Sequence, residues 1–176
     1  MAIRVVGIGG VPATGKTRLM RRIMARANDW VAFKFGLVRG YRSALNDIYV
    51  VGIYDKDTFS GTDKLSMAVQ PVLLKMIESM STGTILFEGD RLFNQSLFDA
   101  HPVEIHVLTA DPGVIDRNHH NRGDNQSEQF ISNKRTKISN IITRNICTIH
   151  THETPEDTER IADLIFNRAT LTKADT

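Results

Sequence analysis

Short apolar runs separated by helical patterns cover most of the chain. The runs span residues 3–8, 31–35, 48–54, 84–87, 103–108 and 146–150. Continuous apolar runs of this kind are typical of parallel strands that are buried on both faces. Strands that alternate with helices favour right-handed crossover connections. We therefore predict an α/β fold with a doubly wound, mostly parallel five-stranded sheet and helices on both of its faces.

Several helix starts can be placed from local signals. Asp111-Pro112 and Thr154-Pro155 each put a capping side chain before a proline, which favours the first turn of a helix. Apolar residues also recur at helical spacing between residues 65 and 80, but Pro71 interrupts this pattern. Because proline cannot donate the backbone hydrogen bond of a helix interior, we expect either a kink or a late start there.

Two polar segments fit poorly into this alternation. Residues 36–47 join two strand-like runs, and residues 116–144 are polar, basic and long for a simple connection. Long polar insertions at the carboxyl edge of a sheet usually cover or contact a substrate. We therefore predict a substrate loop at about residues 36–47 and a lid at about residues 116–144.

Size and composition favour a single globular domain over residues 1–176. The chain is 41% hydrophobic and 24% charged, and its net charge is +2. So small a net charge does not by itself indicate nucleic-acid binding, which would need a local basic surface. No apolar run approaches the ~20 residues that span a bilayer, and no signal-peptide pattern begins the chain. These features predict a cytoplasmic protein with no membrane partner.

Residues 10–17 match the phosphate-binding pattern G-x-x-x-x-G-K-[ST] in full. The pattern follows an apolar strand and opens a helical stretch at residues 18–27. In this context, backbone N–H groups and the positive end of the helix dipole converge on phosphate oxygens. Lys16 would contact the outer phosphates of ATP, and the Thr17 hydroxyl would bind Mg²⁺. The predicted ATP-binding residues are Gly10, Val11, Pro12, Ala13, Thr14, Gly15, Lys16, Thr17 and Arg18.

Acidic residues at the end of the run 84–87 are candidates for the base and the metal ligand. This run is followed by Glu88-Gly89-Asp90, and we expect its strand to lie beside the phosphate-loop strand, where ligands collect. Glu88 is the preferred general base or metal-associated acid, and Asp90 is the competing candidate. The alternative is a strand that simply ends in a solvated charged turn.

A second acidic cluster follows the run 48–54 and contains Asp55, Asp57 and Asp63. Asp55 either approaches the γ-phosphate from the acceptor side, as another candidate base, or caps a turn. Both interpretations remain open, and the sequence alone does not choose among Glu88, Asp90 and Asp55.

The segment 116–144 contains more basic than acidic residues. Arginine side chains present planar, permanently charged groups that suit phosphoryl oxygens. On a mobile lid, Arg117 and Arg122 would neutralise charge in the transition state and exclude water. The alternative is a solvated helix end with ordinary surface charge.

Three pieces of sequence together resemble the nucleoside and nucleotide kinase branch of the P-loop proteins. They are residues 10–17, the strand end Leu86-Phe87-Glu88, and Leu108-x-x-x-Pro112 followed by Arg117 and Arg122-Gly123. The resemblance implies an ATP-dependent kinase in which Glu88 is the catalytic base and the two lid arginines embrace the phosphates. One departure is Gly89, which stands where deoxynucleoside kinases usually place an arginine, and it leaves the acceptor open.

The stretch 122–137 is also similar to small phage kinases that phosphorylate the hydroxymethyl group of 5-hydroxymethyluracil within DNA. This resemblance implies phage DNA hypermodification in the host cytoplasm. The alternatives are a free nucleoside or nucleoside monophosphate kinase, and an NTPase that is not a kinase. A DNA acceptor would bind basic side chains through its phosphates, and a tyrosine would stack on an extruded base, although each tyrosine also fits a core position. The candidates are Arg39, Arg42, Lys134, Arg135 and Lys137, with Tyr41, Tyr49 and Tyr54.

Overall fold

The computed structural model describes residues 3–55, 60–123 and 125–171. Its strands are β1 (Arg4–Gly9), β2 (Trp30–Phe35), β3 (Val38–Ser43), β4 (Ile48–Val51), β5 (Thr84–Glu88), β6 (Glu104–Thr109) and β7 (Cys147–Thr151). Its α-helices are α1 (Lys16–Met24), α2 (Val69–Ser79), α3 (Gln95–Ala100), α4 (Pro112–Arg122), α5 (Glu128–Arg144) and α6 (Pro155–Thr170). No helix in these ranges is long and apolar enough to cross a membrane.

One mixed sheet contains these strands in the order β2-β3-β4-β5-β1-β6-β7. Strands β4, β5, β1, β6 and β7 are parallel to one another, as five of the six apolar runs predicted, but the run 31–35 forms β2, which is antiparallel and largely exposed. Strands β2 and β3 extend the sheet at one edge as antiparallel neighbours. The predicted α/β architecture is therefore confirmed, but the predicted number of five strands is wrong, because the described sheet has seven.

Strand β3 occupies most of the segment that was predicted to be a substrate loop, residues 36–47. Gly36, with φ of 56°, turns the chain back from β2, and Asp47, with φ of 53°, lies in the turn before β4. Sequence patterns missed the strand because it is mostly polar and because Gly40, near its buried centre, has no side chain to mark the alternation. The predicted loop conformation is therefore wrong, because residues 38–43 form a strand of the sheet.

Helices cover both faces of the sheet, as predicted. On one face, α1 and α6 bury Leu19 and Ile161 in a shared core. On the other face, α2, α3 and α5 bury Leu73, Leu97 and Ile141. Strand β1 lies between these two cores and is buried along almost its whole length, so its carboxyl end delivers the following loop to the edge of the sheet.

The helix starts follow the local signals. Asp111 caps α4 by accepting a hydrogen bond from the Gly113 amide (2.8 Å). Thr154 and Asp157 form a reciprocal capping box at the start of α6. Helix α2 begins at Val69, so Pro71 lies in its first turn and the late start is the correct alternative.

The segment predicted to be a lid, residues 116–144, forms most of α4 and all of α5. Ser127 caps α5 by accepting a hydrogen bond from the Phe130 amide (3.2 Å). Ile138 and Ile141 belong to the hydrophobic core, so the carboxyl-terminal half of α5 is part of the scaffold. The end of α4 and the beginning of α5 remain the candidates for a moving lid.

Candidate active site

The phosphate loop connects β1 to α1 and depends on unusual backbone angles. Gly10, Ala13 and Gly15 have φ values of 150°, 66° and 85°. A Cβ at Gly10 would lie 2.7 Å from the Leu108 carbonyl oxygen, so close packing requires glycine there. No side chain caps the first turn of α1. The N-terminal amides of this helix are therefore available to an anion.

Side chains from distant parts of the chain bind the carbonyl oxygens of this loop. Asn118 Nδ2, on α4, donates to Ala13 O (2.9 Å), and His152 Nδ1, directly after β7, contacts Thr14 O (2.5 Å). The Thr14 hydroxyl donates to Val11 O (2.8 Å). These contacts hold the loop in shape. Sequence reasoning missed Asn118 and His152, because they lie 105 and 138 residues from their partners and no local motif marks them.

The Lys16 ammonium group is folded back onto the loop. It donates to Gly10 O (2.9 Å) and Val11 O (3.2 Å). Burial lowers the pKa of Lys16, and the negative charges of Glu88 and Asp90 oppose this shift. This ammonium group would bind phosphate oxygens more favourably, because it forms stronger, charge-assisted hydrogen bonds with them than with carbonyl oxygens.

Glu88 ends β5, which is the parallel neighbour of β1, as the sequence predicted. Its side chain is buried, and its Oε1 accepts hydrogen bonds from the Thr17 hydroxyl (3.2 Å) and the Tyr54 hydroxyl (3.0 Å). Burial raises the pKa of Glu88 to about 7, although Lys16 and these two hydrogen bonds pull it down. The carboxyl group is thus beside the predicted metal-binding hydroxyl and titrates near neutral pH.

A short turn at residues 60–64 packs against the end of β5. The Thr62 hydroxyl donates to Glu88 O (2.9 Å), and a Cβ at Gly61 would lie 2.1 Å from Glu88 Oε1. Asp63, in the same turn, lines the cavity in front of the phosphate loop. Its negative charge raises the pKa of Glu88 further. Of the second acidic cluster, the structure therefore brings Asp63 to the site.

Asp55 is not among the residues that line the cavity in front of the phosphate loop. Its carboxylate accepts hydrogen bonds from Lys64 Nζ at 2.7 Å to each oxygen. This arrangement favours the structural interpretation of Asp55 over the catalytic one. Asp57, the other member of the cluster, lies outside the described residues.

Asp90 lines the cavity but is already engaged. Its carboxylate forms ion pairs with Lys134 and Lys137 of α5, the latter at 3.2 Å. Burial acts to raise the pKa of Asp90, but the two lysines outweigh it and hold the pKa below its ordinary value. Asp90 therefore ties α5 to the end of β5, and Glu88 is the better placed of the two candidate bases.

The two lid arginines occupy different places. Arg122 is exposed and lines the cavity, whereas Arg117 is exposed and does not line it. The two residues are five positions apart on α4, which puts them on different faces of the helix. The structure therefore brings only Arg122 to the loop as it stands.

Two adjoining cavities surround the loop. The larger has a volume of about 280 Å³ and brings together Lys16, Thr17, Asp63, Glu88, Asp90 and Arg122. The smaller, of about 160 Å³, shares Gly15 and Arg122 with it and is lined by Arg18, Asn118, Asn121 and His152, among others. Most of the predicted site residues thus meet at the carboxyl edge of the sheet, around the uncapped end of α1.

The three tyrosines considered for base stacking all have partners. Tyr54 donates to Glu88, and its amide donates to Tyr41 Oη (3.3 Å). Tyr49 packs edge-on against Phe33 (5.4 Å between ring centroids) and lies under Arg42. Their packing favours structural roles.

The chain matches no protein-family model and no curated protein, so its function has to be inferred from this site.

Proposed function

We propose that this protein is an ATP-dependent phosphotransferase that moves the γ-phosphoryl group to a hydroxyl of a nucleotide-type acceptor. One observation carries the proposal. The lysine and threonine of a complete phosphate-loop motif share a cavity with a buried glutamate from the neighbouring parallel strand. A phosphate-binding turn alone needs no such carboxyl group, whereas transfer to a hydroxyl needs a base.

The donor site is proposed to form around the loop and the first turn of α1. Loop amides would bind the phosphates, and Lys16 would move from the Gly10 and Val11 carbonyls to the outer phosphoryl oxygens. The smaller cavity, beside Gly15 and Arg18, would take the nucleoside part.

The residues present fit a Mg²⁺ ion. The Thr17 hydroxyl would bind the ion directly, and the Glu88 carboxyl, 3.2 Å from that hydroxyl, would act through a water of the ion rather than as a ligand. The described residues contain no group of three or more His, Cys, Asp and Glu side chains that would hold a metal. Mg²⁺ needs no such group, because it is usually bound by one or two protein oxygens together with phosphates and water. When bound there, it would neutralise charge on the β- and γ-phosphates.

Glu88 is proposed to act as the general base. Its raised pKa, about 7, means that near neutral pH the carboxyl group is partly ionised and can accept a proton. The acceptor oxygen would form a bond to the γ-phosphorus while the bond from that phosphorus to the β–γ bridging oxygen breaks. The hydroxyl proton would pass to Glu88, ADP would leave, and Arg122 would stabilise the charge on the transferring group.

The identity of the acceptor depends on a different part of the chain. We propose the hydroxymethyl group of 5-hydroxymethyluracil in DNA, on the resemblance of residues 122–137, with free nucleosides and nucleoside monophosphates as alternatives. Lys134 and Lys137, beside the cavity, support an acceptor that carries phosphate.

The test offers ATP with a labelled γ-phosphate to duplex DNA that contains 5-hydroxymethyluracil and, separately, to free nucleosides and monophosphates. Label in the DNA supports the full proposal, and label only in the free compounds replaces the DNA acceptor with the alternative. Hydrolysis of ATP with no labelled acceptor would instead favour an NTPase that is not a kinase.

The role of Glu88 is tested with Glu88→Gln. This change should reduce transfer roughly 100- to 10,000-fold, as expected for a lost general base, while ATP binding persists. Glu78→Gln, at an exposed position of α2, is the matched control and should leave transfer unchanged. Full activity in Glu88→Gln would show that another group takes the proton.

A further inference from the structure

Two side chains without an assigned role, the ring of Phe130 and the amide of Gln126, line the larger cavity. Phe130, in the first turn of α5, is 40% exposed and lines the cavity together with Gln126, Lys16 and Glu88. The other side chains in this cavity are mostly polar or charged, including Asp63. The ring therefore offers a flat apolar surface in a mostly polar cavity.

The ring is held in place from one side. Lys134 Nζ lies 5.1 Å from the Phe130 ring centroid and is itself tied to Asp90. The Phe130 amide is fixed by the Ser127 hydroxyl that caps the helix. A ring whose position is set by its neighbours, and which still lines the cavity, is suited to stacking on another planar group.

Gln126 provides a hydrogen-bond acceptor. Its Oε1 atom is buried and has no hydrogen-bond partner among the described residues. A buried acceptor without a donor loses free energy relative to water, and native structures usually satisfy such atoms. An N–H group of a bound molecule would satisfy it.

The base of the acceptor fits the position of Phe130 and Gln126 better than the base of the donor nucleotide does. The nucleoside part of the donor is proposed to occupy the smaller cavity, which Arg18 lines, whereas Gln126 and Phe130 line the larger cavity with Glu88. Resting on the proposed function, we infer that Gln126 and Phe130 form the base-recognition part of the acceptor site. Phe130 stacks on a planar nucleobase, and Gln126 Oε1 accepts a hydrogen bond from an N–H on the edge of that base.

The experiment measures acceptor binding by calorimetry, using the full chain saturated with Mg²⁺ and a non-hydrolysable ATP analogue. The probe is 2′-deoxyuridine 5′-monophosphate, because uracil is a small base with a ring N–H. Two matched ligands separate the contacts. Deoxyribose 5-phosphate lacks the base, and the 3-methyluracil nucleotide lacks the N–H.

The native chain should bind the uracil nucleotide at least about 10-fold more tightly than either matched ligand. Phe130→Ala should weaken its binding roughly 10- to 100-fold, and Phe130→Tyr, which keeps the ring, should restore most of it. Gln126→Leu should abolish the preference over the methylated nucleotide. Gln129→Leu, at a neighbouring exposed position of α5, is the control and should change neither value.

Two results would overturn the inference while leaving the kinase proposal intact. One is uracil-nucleotide binding that is absent, or that is equal in the native chain and both test variants. The other is a loss of ATP-analogue binding in Phe130→Ala as large as the loss for the uracil nucleotide, which would place the ring in the donor site. Failure of the native chain to bind the ATP analogue would overturn both proposals.

Discussion

Gly15 shows how tightly the phosphate loop is built at the scale of a single residue. Its φ of 85° lies in the left-handed region, and a Cβ there would lie 2.5 Å from His152 Cε1. The same histidine contacts Thr14 O and, through Nε2, the Thr158 hydroxyl (2.7 Å). A side chain at position 15 would therefore strain the backbone and displace the group that holds the loop.

Gly15→Ala should weaken ATP binding at least about 10-fold and lower the free energy of unfolding by about 1–3 kcal/mol. The control is Gly123→Ala, which also has a positive φ, 61°, but whose Cβ would meet nothing within 4 Å. This control should cost only about 1 kcal/mol of stability. Calorimetric titration and urea unfolding measure the two effects, and equal losses in both variants would contradict the proposed role of His152.

Sequence reasoning predicted the site residues that belong to local patterns. Lys16 and Thr17 follow from a contiguous motif, and Glu88 follows from its position at the end of an apolar strand. Asn118 and His152 could not be found in this way, because they act through contacts that only the folded chain creates. Asp63 was not singled out within the second acidic cluster, because its position at the cavity depends on the course of the turn at residues 60–64, which no spacing rule fixes.

Strand β3 is the element where sequence and structure differ most. Five parallel strands were predictable because each is an apolar run, whereas β3 is polar and pairs with β4 across Gly40. A Cβ at this glycine would lie 1.9 Å from the Val50 carbonyl oxygen, which belongs to the backbone of the neighbouring strand. The absence of a side chain is what allows the two strands to pair here.

Gly40→Ala should therefore lower the free energy of unfolding by about 3 kcal/mol or more, because the strands would have to separate. Arg39→Ala, at the adjacent exposed position, should change it by at most about 0.5 kcal/mol. Urea unfolding followed by circular dichroism provides the values. If residues 36–47 formed a loop at the surface, as the sequence suggested, both variants would be tolerated.

Across the molecule, one partly buried network joins three strands and the last helix. His106 on β6 and His150 on β7 share a hydrogen bond of 2.8 Å, and His106 also contacts Glu104 (2.9 Å). Arg4 of β1 and Arg168 of α6 bind the same glutamate at 3.0 Å and 3.1 Å. Burial lowers the pKa of His106, and it lowers the pKa of His150 to about 4, with help from His106, Arg160 and His152.

These shifts predict a loss of stability in mild acid. Between about pH 6.5, where histidine titrates in the unfolded chain, and pH 4, the unfolded chain binds protons that the folded chain excludes. The free energy of unfolding should therefore fall as the pH decreases through this window, by up to about 1.4 kcal/mol per pH unit for each histidine.

The measurement compares the native chain with His150→Gln, which should show a shallower decrease in urea unfolding between pH 7 and pH 4.5. The comparison is needed because Glu88, whose pKa is raised, makes the free energy of unfolding increase as the pH decreases, and it does so in both chains. Parallel curves for the two proteins would mean that His150 is not excluded from protonation in the folded state.

Calorimetric titration with Mg²⁺ and ATP measures whether the loop amides and Lys16 bind the phosphates of a magnesium nucleotide. The native chain should bind one nucleotide per chain. Lys16→Ala should weaken binding roughly 10- to 100-fold, as expected for lost charge-assisted hydrogen bonds. Lys75→Ala, at an exposed position of α2, should bind as the native chain does. No binding by the native chain, or equal binding by Lys16→Ala, would contradict the account.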